Sequence, residues 1–183
     1  MSKLYGFETI KDFDEQKYLS FISDIKKQID FTSIVSDSSQ YVNFFLNEIK
    51  TNDYLVRKHF FQPVQILYFE NKKLKSFHIN CFAKGKLTNI NWNTDNRFST
   101  FIPKSAIDID TLGVTLENYN NIYKEINLNS DKKYTIIIFW TSVIKKISKS
   151  AIQTVIDNLN AFNKVSDTKI YLINTDKFFA GKY

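Results

Sequence analysis

The sequence predicts an α/β protein built on a mixed sheet of four or five strands with flanking helices, and three observations carry that expectation. Residues 134–140 (YTIIIFW) form an unbroken apolar run bounded by Asp131, Lys132 and Lys133, the pattern of a strand covered on both faces. A helical stripe of Ala151, Ile152, Val155, Leu159 and Phe162 follows, and a second apolar strand spans 169–174. Strand, helix and strand over about forty residues make a βαβ unit, whose strands are parallel and whose crossover is right-handed. The run at 134–140 is expected at the centre of the sheet.

The remaining elements follow in order along the chain. Asp12 and Glu15 have the spacing of a capping box, and Tyr18, Ile22, Ile25 and Ile29 continue at helical spacing, which predicts a helix over 13–30. The polar cluster Ser36, Asp37, Ser38 and Ser39 breaks that helix and caps a second one over 38–50, with Tyr41, Val42, Phe45, Leu46 and Ile49 on one face. At Pro63 the period becomes extended. Residues 64–69 are rich in β-branched and aromatic side chains, 70–73 form a polar turn, and 74–82 alternate with Phe77, Ile79 and Cys81 on one side, so the pair reads as a β-hairpin.

Residues 83–114 hold Gly85, Gly113, Pro103 and a polar run from Asn91 to Asn96, and are expected to be loop with short strands. A helix over 115–127 carries Leu116, Tyr119, Tyr123 and Ile126 inward behind a Thr115 cap. The serines at 148 or 150 are expected to start the helix of the βαβ unit. Lys145 and Lys146 at its first turn would oppose the helix dipole by about 0.3–1 kcal/mol each. The chain thus divides into a helical N-terminal extension (1–60) and an α/β domain (61–183), together one compact unit.

Composition bounds the chemistry. The 183 residues are 43% hydrophobic and 24% charged, with 4 Gly and 2 Pro, which excludes disorder and collagen. The 17 Phe, 10 Tyr and 2 Trp provide a large core without disulfide staples. One cysteine, Cys81, excludes an intramolecular disulfide, dithiol exchange and Cys-rich zinc sites, and is read as a small packed hydrophobe. His59 and His78 lie in no ligand-spaced motif, so no metal and no cofactor are expected.

The net charge of +6 comes almost wholly from scattered lysines, with arginine only at Arg57 and Arg97, a pattern of solvated surface and not of nucleic-acid reading. No run is long and apolar enough to insert in a membrane, and no export signal is visible at the N-terminus. A chain complete as written is expected in the cytoplasm, and one that has lost a leader in the cell envelope or periplasm.

Phe139-Trp140-Thr141-Ser142-Val143-Ile144-Lys145-Lys146-Ile147 resembles the active-site stretch of the thioredoxin-like thiol–disulfide oxidoreductases. There a buried strand ends in Phe-Trp and a Cys-x-x-Cys opens the following helix. Here both cysteine positions, Ile144 and Ile147, are isoleucine. Ile173-Asn174-Thr175-Asp176 is similar to the end of the family's next strand, and Gln62-Pro63 followed by 64–69 resembles the segment that a cis-proline introduces. The hairpin precedes the βαβ unit here, the reverse of the family's order. The resemblance therefore implies either a circular permutation, with 64–69 antiparallel to 134–140, or a truncated redoxin with a hairpin attached in front at the far edge. It also implies a cis Pro63, whereas the ordinary preference of X–Pro bonds is trans.

Isoleucine offers nothing to ionise, so the resemblance implies a degenerate, non-catalytic member. Its fold would be a thioredoxin-like mixed sheet, and its function the binding of an extended peptide or partner protein in the crevice at the carboxyl ends of the parallel strands. Gln62, Pro63, Trp140, Ser142, Ile144, Lys145 and Asp176 would line that crevice. The alternative is a small inhibitor or immunity-type protein that binds through Trp92, Arg97 and Phe98 in the 83–114 region, and the third reading is an enzyme with cryptic chemistry. Asp108 and Asp110 would share a strand face, but no second catalytic group accompanies them.

Overall fold

A computed structural model describes residues 8–49, 54–86, 89–110 and 112–180. The elements in chain order are α1 (Glu15–Lys26), β1 (Thr32–Val35), α2 (Ser38–Asn43), α3 (Tyr54–Phe60), β2 (Gln65–Glu70), β3 (Lys73–Ile79), β4 (Lys84–Lys86), β5 (Asn89–Asn91), α4 (Leu116–Ile122), β6 (Tyr134–Trp140), α5 (Lys145–Ala161), β7 (Thr168–Asn174) and α6 (Asp176–Phe179). The chain is α/β, with a five-stranded mixed sheet in the order β1-β7-β6-β2-β3 and a separate two-stranded ribbon β4-β5. β6 is the central strand, and all seven of its residues are buried.

Pairing sets the geometry at the sheet's carboxyl end. β6 and β7 run parallel with Trp140 opposite Asn174, and β1 extends the parallel half with Val35 also opposite Asn174. β2 runs antiparallel to β6, Gln65 opposite Phe139 and Glu70 opposite Tyr134. The β2–β3 hairpin therefore joins the sheet directly at its centre through β2, and β3 forms the edge. Ser105, Ala106 and Thr115 cover that edge: Ala106 N–H donates to Phe77 O, Phe77 N–H to Ser105 Oγ, and Lys73 bridges Thr115.

Because successive strand residues alternate faces, the apolar strands feed two cores. Ile66, Tyr68, Ile136, Ile138, Trp140, Ile170 and Leu172 pack against α1 and α5. Leu67, Phe69, Ile137, Phe139, Tyr171 and Ile173 pack against Tyr41, Phe44, Phe45, Phe60, Tyr119 and Tyr123 from the helices of the other side. Each such side chain contributes roughly 1.5–3 kcal/mol on full burial.

Several boundaries differ from the sequence reading. The first helix is capped by Asp14, not Asp12, with Asp14 accepting from the Lys17 N–H. Residues 32–35, expected within the helical extension, are a strand of the main sheet. Four residues are too few to show a period, and parallel pairing with β7 decides their state. α2 gives way to a wider π-type turn at Phe44–Glu48, and α3 was not anticipated. β3 stops at Ile79, because Asn80–Phe82 turn as a 3-10 segment and carry Cys81 out of the sheet. The helix expected over 115–127 ends at Ile122.

α5 begins at Lys145, ahead of both serines proposed as its start. Ser148 is instead fully buried, and its hydroxyl donates to Thr141 O at 2.8 Å while accepting from the Thr141 N–H at 3.2 Å. A carboxylate from the far side of the βαβ unit, Asp176, accepts from the Ser142 N–H at the preceding turn and so fixes the entry to the helix.

Candidate functional site at the carboxyl end of the parallel strands

Where β6 and β7 end, two adjacent connections are stitched together. Thr175 N–H and Oγ1–H both donate to Trp140 O, at 3.0 and 3.2 Å. The Asp176 carboxylate accepts from Thr141 Oγ1 at 2.7 Å, from the Ser142 N–H at 2.6 Å and from Ser142 Oγ at 2.6 Å. Its own N–H donates to Asn174 Oδ1. Asp176 is only 4% exposed, so these donors replace water around a buried carboxylate. That use of its oxygens holds the turn Ser142–Ile144 in shape and leaves the carboxylate as a staple.

Ile144 and Ile147, which offer nothing to ionise, are buried in the core on the α1 and α5 side, and Trp140 is fully buried. Phe21 stacks on the Trp140 indole at 4.3 Å between centroids, and Tyr18 stacks beside it at 6.0 Å. Ahead of α1, residues 8–14 run across the crevice. The Glu8 N–H donates to Val143 O at 2.8 Å, and Glu8, Thr9, Ile10, Lys11, Asp12, Asp14 and Lys17 enclose a pocket of about 220 Å³ with Ser142 and Asp176.

The structure therefore separates the expected site residues into groups. Ser142 and Asp176 share the pocket, and Lys145 is exposed on the next turn. Trp140 and Ile144 belong to the same end of the sheet but are buried, Trp140 beneath Tyr18 and Phe21 of α1, so they are not open contact residues. Gln62 and Pro63 also lie at this end, just before β2, and are half-buried. Gln62–Pro63 is trans, the ordinary geometry. Gln62 is occupied locally: its Nε2 donates to Lys58 O, and its Oε1 accepts from Asn80 Nδ2 and from Cys81 Sγ at 2.8 Å.

Two further expectations change. Cys81 is exposed on its turn and not packed, and partial desolvation pushes its thiol pKa up against the opposing charge of Lys58. Trp92 and Phe98 are 3% and 7% exposed and lie in the α5-side core, so they present no surface; only Arg97 remains partly accessible, paired with Asp95 at 3.2 Å. Asp108 and Asp110 lie in a loop, where Asp108 Oδ1 accepts from the Asp110 N–H. Among the described residues no cluster of His, Cys, Asp and Glu has the grouping of a metal site, and no helix is long and apolar enough to cross a membrane.

Sequence reasoning missed the covering segment. Tyr18 reads as part of the inner face of an ordinary amphipathic helix, Phe21 is not singled out by that spacing, and nothing local indicates that their partner is Trp140. In comparisons with known proteins, no family model, curated protein or solved structure matches the chain.

Proposed function

We propose that this protein is a non-catalytic binding module of thioredoxin-like arrangement that takes an extended peptide, or an extended segment of a partner protein, at the carboxyl end of β6 and β7. The observation that carries this reading is the way the crevice already accommodates backbone: segment 8–14 crosses it and pairs with Val143 through the Glu8 N–H. A surface that already accepts one main-chain N–H, at Val143 O, has a group with which to hold another segment's backbone. Ser142, Lys145, Gln62 and Pro63 are the accessible residues around it.

The strand arrangement supports the family part of the reading. A strand ending in Phe-Trp lies at the centre, a parallel strand reached through α5 lies on one side, and a hairpin introduced by Pro63 lies antiparallel on the other. That is the arrangement a permuted thioredoxin core requires. The non-catalytic part rests on Ile144 and Ile147, on the fully engaged Asp176, and on a lone thiol whose pKa is raised.

The test is selection of random displayed peptides on the intact protein, followed by affinity measurement with Ser142→Arg and Lys145→Glu. Selected peptides should lose about tenfold or more in affinity on either change, the scale of one lost charge-assisted contact. Undiminished binding by both variants would defeat the site. Turnover in an insulin-reduction or peroxide assay would defeat the non-catalytic reading.

A further inference from the structure

A second cavity lies away from that crevice. α1 and α5 diverge along their outer faces and leave a cleft of about 460 Å³, within the range of small-molecule sites. Its floor is apolar, made by Phe21, Ile25, Ile152 and Ile156, all core residues. Its rim is basic. Lys27 comes from the end of α1, and Lys145 and Lys149 from the first turns of α5, with Ser20, Gln28 and Gln153 as neutral polar groups between them.

The charges on this rim are unbalanced. The one carboxylate lining the cleft, Asp24, is held by Lys27 at 3.1 Å. Lys145 and Lys149 stand one helical turn apart, a like-charge spacing that destabilises a helix, and among the described residues neither has an ion-pair partner. Lys145 is held over the cleft wall, its Nζ 6.0 Å from the centre of the Phe21 ring. Two uncompensated cations thus border a concave space with an apolar floor.

We infer that the α1–α5 cleft binds a small amphiphilic anion, with an apolar body on Ile25, Ile152 and Ile156 and a carboxylate or phosphate head between Lys145 and Lys149. The head relieves the repulsion between the two lysines, and the body packs on the small parts of Ile25, Ile152 and Ile156 that reach the cleft, these being 5%, 3% and 4% exposed. This inference shares Lys145 with the peptide reading but is tested apart from it through Lys149, Ile152 and Ile156, which take no part in the crevice at the strand ends.

Calorimetric titration of the intact protein with octyl phosphate and with octanoate tests it, with octanol as the neutral probe. At least one anion should bind while octanol does not, and the tighter of the two identifies the head group. Lys149→Gln should weaken binding about tenfold and Lys149→Glu abolish it, while Lys169→Gln, on β7, should leave it unchanged. Thermal unfolding of each variant without probe establishes that it is folded. Failure of both anions to bind at about 10 mM, equal binding of octanol, or unchanged binding by folded Lys149→Glu would overturn the inference.

Discussion

Ser142 donates both its main-chain N–H and its hydroxyl to the Asp176 carboxylate, each at 2.6 Å, so that one buried acid fixes the turn between the central strand and its crossover helix. The same carboxylate accepts from Thr141 Oγ1. Removing it leaves three donors short of a partner in a largely dry place. Asp176→Ala should therefore destabilise the fold by about 3 kcal/mol, read as a lower urea midpoint with unchanged slope. Asp176→Asn keeps the shape but loses the charge and should cost less than Asp176→Ala.

His78 gives the protein an acid limb. Its ring is buried against Phe98, at 4.6 Å between centroids, and hydrogen-bonded to Ser76 Oγ at 2.8 Å. Desolvation, with the nearby Arg97 charge adding to it, lowers its pKa from 6.5 to about 3. In the unfolded chain the ring takes a proton below pH 6.5, while in the folded one it stays neutral until about pH 3. Stability is thus complete above 6.5 and falls as pH drops through that window, by up to about 1.4 kcal/mol per pH unit from this group. Urea titrations between pH 7 and 4 should show this limb, and His78→Gln should flatten it relative to the parent.

Asn158 is a buried clamp between α5 and the irregular region. Its Nδ2 donates to Phe98 O and Thr100 O, both at 3.1 Å, and its Oδ1 accepts from Tyr68 Oη at 3.3 Å. Asn158→Leu leaves two carbonyls and a phenol unpaired and should cost about 2–4 kcal/mol, measured by chemical denaturation. A loss below about 0.5 kcal/mol would mean that water replaces the amide without penalty.

Phe21→Ala removes the ring stacked on Trp140 and should destabilise by about 3–5 kcal/mol. It also uncovers the indole. Trp140 is fully buried and Trp92 is 3% exposed in the parent protein, so tryptophan emission should shift to the red and become quenchable by acrylamide only in the variant. Unchanged quenching would mean that another group closes over the indole.

Cys81 is exposed yet its thiol is pushed up in pKa by partial burial, and its Sγ donates to Gln62 Oε1. Alkylation by iodoacetamide at neutral pH should therefore run slower than that of free cysteine, because less thiolate is present. Gln62→Glu, which places a negative charge beside the sulfur, should slow it further.

The half of the fold written in long, regular patterns was legible. β6, α5 and β7 were read from one apolar run, one helical stripe and a second run, and their parallel pairing followed from the connection length. What the sequence could not show depends on distant partners. The four residues of β1 become a strand only against β7, and the turn that leads into α5 at Lys145 is held by Asp176, far along the chain. Trp92 and Phe98 were legible as an aromatic cluster but not as core, since their neighbours at 91–96 are polar and their burial comes from α5 and the sheet. Of the site, Ser142 and Asp176 were found together, while the covering of Trp140 by Tyr18 and Phe21 was invisible because it joins two separately readable segments.

The central claim is that the carboxyl end of β6 and β7 receives an extended peptide. It is tested most directly by amide shift mapping of the intact protein titrated with a peptide selected on it. The account predicts perturbations centred on Ser142, Val143 and Lys145 and reaching Glu8 and Gln62. Shifts that leave those residues still and gather on the helices of the opposite sheet face would contradict it.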